Sequence, residues 1–334
     1  MDVTVLVAQA AAAGACDLHL AAGHPPCVRV DGDLRRLELP PSTEAQVFDS
    51  LSPWLQDSQR TQWREGDELD LALTLPDAQR VRVNLFRQRQ GPAVSLRLLP
   101  AQAPSLDALG LTNVFRPVSQ WQDGLLLVAG PTGSGKSSTL AALVDHLNRE
   151  RPAHVITLED PIEIVHHSQR SLVTQREVGR HTRDFAQALR SALRQDPDVI
   201  LLGELRDLES IRLALRAAQT GHLVLATVHA RCAVSSIDHL VDVFDAQEKT
   251  LIRSLLAESL RMVVVQRLVK RRGGGRVAAR EVLVATAAVR NLIREGRLAQ
   301  LQSVMQTGAG QGMQTLEDAL RALQAQGLIE AQDA

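Results

Sequence analysis

One eight-residue stretch limits what this chain can fold into more than any other. Gly130-Pro131-Thr132-Gly133-Ser134-Gly135-Lys136-Ser137 fits the pattern G-x-x-x-x-G-K-[ST] of a phosphate-binding loop. Its glycines let several backbone N–H groups converge on one anion. An apolar strand at 125–128 precedes the loop, and residues 138–148, which begin with Ser138, have apolar side chains at helical spacing. Strand, loop and helix in this order predict an α/β nucleotide-binding domain.

Lys136 and Ser137 give this loop its expected chemistry. The lysine supplies a mobile positive charge to the terminal phosphates, and the serine hydroxyl is a ligand for Mg²⁺. The chain has 37 basic residues, and its only lysines are Lys136, Lys249 and Lys270. A chain that otherwise uses arginine has a lysine where a compact point charge suits phosphate. We therefore expect a nucleotide and Mg²⁺ as cofactors.

Composition excludes several functions and suggests a compartment. A formal net charge of −1 and an aromatic content of 2% argue against a nucleic-acid partner. Proteins that bind nucleic acid usually present basic side chains to the phosphates and aromatic side chains to the bases. The scattered Cys16, Cys27 and Cys232 fit a reducing cytoplasm. No apolar run approaches the roughly 20 residues that span a bilayer. The prediction is a cytoplasmic protein.

The chain is predicted to hold two domains. Residues 1–98 alternate short strands and helices, and a stretch with two prolines suggests a linker over 99–117. From 118 to 334, strands at 125–129, 155–158, 199–202 and 223–228 alternate with helices, which predicts a mostly parallel sheet covered on both faces. From about residue 232 onward the pattern predicts helices.

Polar residues follow each of these strands, at the sheet edge where ligands bind. Glu204 follows the strand 199–202 and is the candidate Mg²⁺ carboxylate, acting through water. His229 follows the strand 223–228 and is a candidate contact for the γ-phosphate, whereas His222 begins that strand at the opposite end.

Three acids follow the strand 155–158. We favour Glu163 as the general base that activates water, with Glu159 and Asp160 holding the loop or the metal. The sequence alone leaves open which of the three is the base.

Arginines are candidates for stabilising charge on the transferred phosphoryl group. Arg82 and Arg97 lie on predicted strands of the first domain. Arg190, Arg194 and Arg206 flank the sheet edge and are candidates for action across a subunit boundary.

Several motifs together resemble the secretion-type ATPases, and among them the type IV pilus retraction ATPases of the PilT family, which drive twitching motility. Besides the phosphate-binding loop, they are an acidic box, an arginine-containing run, a short Gly-Glu motif and a histidine box, at 156–163, 188–198, 203–207 and 220–229 respectively.

This resemblance implies a PAS-like first domain and a RecA-like ATPase domain with a helical C-terminal extension, assembled into a homohexameric ring. It implies that ATP binds between the domains, with Lys136 on phosphate, Glu204 serving Mg²⁺, Glu163 as the catalytic glutamate, and Arg82 and Arg97 approaching the nucleotide. It further implies a hydrolase peripheral to the inner face of the cytoplasmic membrane, where its partner is an inner-membrane pilus platform protein.

A C-terminal segment resembles the helix that the family needs for retraction rather than for ATP binding. Its residues are Ala288, Val289, Arg290, Asn291, Leu292, Ile293, Arg294 and Glu295. Without the resemblance, the spacing of the apolar residues is that of an amphipathic helix with one apolar stripe.

Departures from the family pattern leave alternatives to a main retraction motor. The histidine box lacks the second threonine common after His229, and Ala287 stands where the family often has proline. An accessory paralogue that partners another pilus ATPase, or a nucleotide-binding regulator of another motor, is the main alternative. An extension or secretion ATPase fits less well, because those relatives usually have a four-cysteine metal loop that this chain lacks.

Overall fold

The computed structural model describes residues 2–76 and 79–330. The predicted domains 1–98 and 118–334 also include residues 1, 77–78 and 331–334, which lie outside the described part. The chain forms two compact units. The first comprises the chain up to Gln102 together with Pro161–Val165, and the second comprises the remainder from Ala103.

The first unit is an antiparallel sheet with helices packed against it. Its elements are α1 (Val3–Ala12), β1 (Asp17–Ala21), β2 (Cys27–Val30), β3 (Asp33–Arg36), α2 (Glu44–Leu51), α3 (Asp57–Glu65), β4 (Leu69–Thr74), β5 (Arg80–Gln88) and β6 (Gly91–Leu99). The strand order is β3-β2-β1-β6-β5-β4, and every neighbouring pair is antiparallel.

Local sequence signals explain how this unit begins. The Asp2 side chain caps α1 by accepting a hydrogen bond from the backbone N–H of Thr4 at 2.9 Å. The apolar residues of α1 at helical spacing are buried. Asp31 and Gly32 both have positive φ, 51° and 97°, as a tight two-residue hairpin turn requires between β2 and β3.

The second unit is a mostly parallel sheet between two layers of helices. Its elements are α4 (Thr112–Phe115), β7 (Gly124–Ala129), α5 (Lys136–Glu150), β8 (His154–Glu159), β9 (Leu172–Glu177), α6 (Phe185–Ala192), β10 (Val199–Leu202), α7 (Leu208–Gln219), β11 (Leu223–Val228), α8 (Ala233–Asp242), α9 (Ala246–Ser259), β12 (Leu260–Lys270), β13 (Arg276–Val284), α10 (Ala287–Arg294), α11 (Leu301–Thr307) and α12 (Leu316–Ala325). The strand order is β13-β12-β7-β11-β10-β8-β9, and only the pairing of β13 with β12 is antiparallel.

The central strand β7 shows how the two faces are filled. Leu125 and Leu127 join the core that includes α6 to α10, while Leu126 and Val128 join the core that includes α5. Successive side chains of a strand point to opposite faces, so a strand covered on both faces reads as a continuous apolar run. The loop that follows Ala129 lies at the carboxyl edge of the sheet, because β7 ends there.

The prediction of helices from about residue 232 onward was wrong for β12 and β13. These strands form an antiparallel hairpin, and β12 also pairs in parallel with β7. The β-branched run Val263-Val264-Val265 favours a buried strand. The glycines Gly273, Gly274 and Gly275 have positive φ and form the turn that joins β12 to β13.

The predicted linker over 99–117 is divided between the two units, because the second unit begins at Ala103. Leu99 is the last residue of β6, and the first unit ends at Gln102. Leu106, Leu111 and Phe115 are buried in the core beside α5. Exposure of three large apolar side chains to solvent would cost free energy, so this part of the chain packs into the core of the second unit.

No helix in residues 2–76 and 79–330 is both long enough and apolar enough to cross a membrane.

Candidate functional site

The phosphate-binding loop lies between β7 and α5 and requires its glycines. Gly130, Gly133 and Gly135 have φ of 147°, 76° and 88°, which side chains disfavour. A Cβ added to Gly130 would lie 2.4 Å from the carbonyl oxygen of Gln266. One added to Gly135 would lie 2.7 Å from Nε2 of the same glutamine. The loop is therefore packed closely against β12.

Two side chains of the loop have the chemistry of an anion site. The Nζ of Lys136 donates hydrogen bonds to the carbonyl oxygens of Gly130 and Pro131, at 2.9 and 3.0 Å. The hydroxyl of Ser134 is among the buried side-chain atoms of the described residues that have no hydrogen-bond partner. A buried hydroxyl normally has one. Together with the first N–H groups of α5, these donors fit the phosphates of a nucleotide.

The remaining residues of the motif lie at its open side. Pro131, Thr132, Gly133 and Ser137 are exposed, and Ser138 is half-buried. An exposed hydroxyl at the start of a helix, beside a phosphate site, is suited to Mg²⁺.

Glu204 lies beyond the end of β10, and a histidine and an arginine contact its carboxylate. Its Oε1 lies 3.1 Å from Nε2 of His229, which follows the neighbouring strand β11. Its Oε2 lies 2.7 Å from Nη2 of Arg206. The Glu204 side chain is only 18% exposed. The structure thus brings together three of the predicted site residues at the sheet edge that also bears the phosphate-binding loop.

The acidic box divides between the two units. The carboxylate of Glu159 accepts hydrogen bonds from the Thr157 hydroxyl at 2.6 Å and from the Gln175 amide at 3.2 Å, inside the second unit. Asp160 belongs to that unit too, whereas Glu163 lies in the segment that groups with the first unit. Two side-chain hydrogen bonds therefore hold the Glu159 carboxylate against β8 and β9.

Arginines of β5 hold the segment around Glu163. The Nη2 of Arg80 donates to the carbonyl of Ile162 at 2.6 Å. The Nη1 of Arg82 lies 3.9 Å from Oε1 of Glu163, while its Nε and Nη2 bond to the two carboxylate oxygens of Asp70 at 3.2 and 2.5 Å. The Glu163 side chain is 27% exposed. The partly exposed carboxylate of Glu163 is therefore accessible to a water molecule.

Arg97, on β6, is paired differently. Its Nε donates to Oδ1 of Asp17 at 2.8 Å. Burial by itself would raise the pKa of Asp17, but hydrogen bonds from Arg97 and Cys16 outweigh it and leave the pKa below its ordinary value. Half of the Arg97 side chain remains exposed.

Other predicted residues lie farther from the loop or at the surface. His222 precedes β11 at the opposite edge of the sheet, where its Nδ1 lies 3.1 Å from the carbonyl oxygen of Ala217. Arg190 forms an ion pair with Glu209, and Arg194 is exposed. These positions fit surface roles in the single chain and leave both arginines accessible.

The predicted retraction segment forms α10. The hydroxyl of Thr286 caps this helix through the N–H of Val289, and Glu295 lies at its end. Val289 and Ile293 are fully buried, with Leu292 packed beside them. The remaining positions differ from one another: Ala288, Asn291 and Arg294 are exposed, whereas Arg290 is half-buried.

Arg290 lies outside the apolar stripe, and hydrogen bonds to two backbone carbonyls anchor its guanidinium. It donates to the carbonyls of Ala285 and Leu260, at 3.0 and 3.3 Å. Burial, together with the neighbouring Arg261, lowers its pKa. The accessible face of α10 is therefore narrower than the sequence pattern indicated.

The site also contains a residue that motif analysis missed. Gln266 of β12 is 3% exposed and contacts the phosphate-binding loop with both its backbone and its side chain. The available signal was a polar residue directly after the apolar run Val263-Val264-Val265. A buried amide is costly unless it is hydrogen-bonded, so such a position suggests a specific partner.

Comparisons with known proteins match the whole chain. A family model described as Type II/IV secretion system protein matches residues 2–333. The type IV pilus retraction ATPase PilT of Pseudomonas aeruginosa is 52% identical over 334 residues, covering 100% of this chain and 97% of the relative. The type IV pilus ATPase PilU of the same organism is 37% identical over 322 residues, covering 96% and 84% respectively.

A solved structure agrees with the described architecture. The crystal structure of the pilus retraction motor PilT with bound ADP has a TM-score of 0.89 and 42% identity, and the match covers 100% of this chain and 96% of that one. The predicted family resemblance and the predicted α/β fold class are confirmed.

Proposed function

The chain belongs to the family of type II/IV secretion system proteins, and from this we propose that it is an ATP-hydrolysing motor that powers retraction of type IV pili. The observation that supports the proposal most is the intact phosphate site, within a chain that is similar to a retraction ATPase along its entire length. Retraction disassembles the pilus and moves the cell, so the cellular outcome is twitching motility.

We assign the nucleotide and its metal to the second unit. The backbone of Gly130–Ser137 and the ammonium of Lys136 bind the phosphates of ATP. The Ser137 hydroxyl and the Glu204 carboxylate would hold Mg²⁺, the latter through water, with Arg206 and His229 orienting the carboxylate. When bound, Mg²⁺ neutralises charge on the phosphate oxygens.

We assign the general base to Glu163 rather than to Glu159. Two side-chain hydrogen bonds already fix Glu159 within the second unit, whereas Glu163 presents a partly exposed carboxylate. Glu163 would accept a proton from the attacking water. Arg82 and Arg97 would supply positive charge that stabilises the phosphoryl group during hydrolysis.

We further propose a homohexameric ring at the cytoplasmic face of the inner membrane. Exposed Arg190 and Arg194 are available to a neighbouring subunit. The partner in the membrane would be the pilus platform protein, to which the ring transmits domain movement, and α10 is the element assigned to that coupling. A net charge of −1 gives no general attraction to nucleic acid.

The proposal is tested first with purified protein and then in the cell. Steady-state assays should show Mg²⁺-dependent ATP hydrolysis, and light scattering should give the mass of a hexamer in the presence of nucleotide. Deletion of the gene should abolish twitching. A protein that binds ATP with no turnover would instead indicate a regulatory nucleotide-binding protein, and normal twitching in the deletion strain would indicate an accessory paralogue.

A further inference from the structure

Gln266 bridges the phosphate-binding loop to the first turn of the helix that follows it. Its Nε2 donates to the carbonyl oxygen of Ser134 at 2.6 Å. Its Oε1 accepts from the hydroxyl of Thr139 at 2.8 Å. Both contacts are buried. One amide therefore fixes the loop on both sides of Gly135 and Lys136.

The position of Gln266 follows from the pairing of β12 with β7. Val265 of β12 pairs with Ala129, so the next residue lies beside Gly130, where the loop begins. The carbonyl oxygen of Gln266 occupies the space that a side chain at Gly130 would need, at 2.4 Å from its Cβ position. The side-chain amide of Gln266 likewise occupies the space that a side chain at Gly135 would need, with its Nε2 2.7 Å from that Cβ position. The glycine positions of the motif and Gln266 therefore fit one another.

Arg280 fixes the orientation of this amide. On the paired strand β13, its Nε donates to Oε1 of Gln266 at 3.3 Å, and its Nη2 donates to the carbonyl of Leu109 at 2.7 Å. Burial lowers the pKa of Arg280 to about 10, so it stays charged at neutral pH. Two donors at Oε1 leave the NH₂ group directed at Ser134, and the amide cannot flip without losing these bonds.

We propose that Gln266 is a positioning residue for nucleotide binding, which holds the phosphate-binding loop in the shape that receives phosphate. The inference rests on the assignment of this loop as the ATP site. Gln266 acts through Ser134 and Thr139 and does not itself touch the nucleotide. An apolar side chain in its place would leave a carbonyl, a hydroxyl and a guanidinium N–H without their partner, and the loop would sample other conformations.

If the loop is in its binding conformation in only a fraction of the molecules, the apparent Kd for nucleotide equals the intrinsic Kd divided by that fraction. The loss affects ground state and transition state alike, so KM should rise while kcat changes little. An apolar residue at this position loses two hydrogen bonds between neutral groups and one from a guanidinium, so we expect Kd to increase by at least about fivefold.

The test compares Gln266→Met with the matched control Gln302→Met, which changes an exposed glutamine on α11. The Kd of fluorescently labelled ADP and the KM and kcat for ATP are measured for both. Hydrogen exchange of the amides of Gly133–Lys136 and the melting temperature are measured without nucleotide. We expect raised Kd and KM, near-normal kcat and faster loop exchange in Gln266→Met alone.

An ADP affinity within about twofold of wild type, with unchanged loop exchange, would overturn the proposal even if the melting temperature falls. If Gln266→Met does not fold, Gln266→Glu replaces it, because the carboxylate keeps the bonds from Thr139 and Arg280 and loses only the donor to Ser134. The same loss of affinity is expected there, and unchanged affinity would overturn the inference. Wild-type protein that binds no labelled ADP would contradict the proposed function instead, and the exchange data would still decide the role of Gln266.

Discussion

Lys136 is buried, and its charge is compensated by two carbonyl oxygens of its own loop. Motif residues of this kind are local in sequence, and for that reason the phosphate site was predictable from the chain alone. Gln266 was not, because it and Ser134 are 132 residues apart in sequence and meet only through the pairing of β12 with β7. The polar residue after an apolar run marks Gln266 as unusual, but the local sequence does not show which residues it contacts.

Lys136→Ala should weaken nucleotide binding strongly. The variant loses a charged hydrogen-bond donor to phosphate, and such bonds contribute about 1.5–3 kcal/mol, or roughly tenfold to more than a hundredfold in Kd. Titration with labelled ADP measures this directly. Lys249→Ala, at a half-buried position on α9 where the lysine pairs with Asp242, serves as a charge-matched control. Normal affinity in Lys136→Ala would contradict the assignment of the site.

Glu163→Gln should bind ATP with little change and hydrolyse it about 100-fold to 10,000-fold more slowly. The amide keeps the shape of the side chain and cannot accept the proton of the attacking water. Single-turnover kinetics separate this step from binding, and Glu65→Gln, an exposed position on α3, serves as the control. Normal turnover in Glu163→Gln would place the base elsewhere in the acidic box, and the same measurement on Glu159→Gln would then locate it.

The β12–β13 hairpin is the element that sequence patterns missed, and it connects several parts of the second unit. A short buried apolar run does not distinguish strand from helix by periodicity, so the flanking helical pattern misled the prediction. On one face of the hairpin, Gln266 and Arg280 hold the phosphate-binding loop. In β13, the next residue, Glu281, bonds to the N–H groups that begin α8 and α12.

Glu281 predicts a pH dependence of stability. It is 4% exposed, and burial raises its pKa, although hydrogen bonds from the N–H groups of Ala233 and Leu316 oppose the shift. A carboxyl whose pKa is higher in the folded state binds its proton more tightly there, so its contribution to stability falls as pH rises from the unfolded pKa through the raised value. Glu281→Gln keeps an acceptor oxygen and removes this dependence.

Denaturant unfolding of wild type and Glu281→Gln between pH 4 and 7 tests the effect, and the variant should gain stability relative to wild type as pH rises. Glu281→Ala is the contrasting change. It leaves two helix N–H groups unpaired and should cost about 1–3 kcal/mol for each. A pH-independent difference between wild type and Glu281→Gln would contradict the raised pKa.

The helix α10 has a buried side and an accessible side, which predict different phenotypes. Ile293 is fully buried, so Ile293→Ala should lower the free energy of unfolding by about 2–5 kcal/mol. Arg294 is exposed, so Arg294→Glu should leave folding and ATP hydrolysis unchanged and should impair retraction. Unfolding curves, ATPase assays and twitching zones measure the three properties. Normal twitching in Arg294→Glu would remove this residue from the coupling surface.

Across the whole chain, the two units differ in how much the sequence revealed. The alternation of strands and helices in the second unit was predicted because each parallel strand is a continuous apolar run followed by a polar turn. The assignment of Pro161–Val165 to the first unit was not, because nothing in the local pattern shows that Arg80 and Arg82 bind that segment. This long-range connection groups the favoured base, Glu163, with the arginines of β5 in the first unit.

If ATP hydrolysis by this chain drives pilus retraction, loss of hydrolysis should raise the number of surface pili per cell. Pili are counted by electron microscopy in a deletion strain complemented with wild type or with Lys136→Ala, at matched protein levels. We expect normal counts and twitching with the wild-type gene, and excess pili without twitching with Lys136→Ala. Fewer pili, or none, in the Lys136→Ala strain would contradict retraction and indicate a motor for pilus extension.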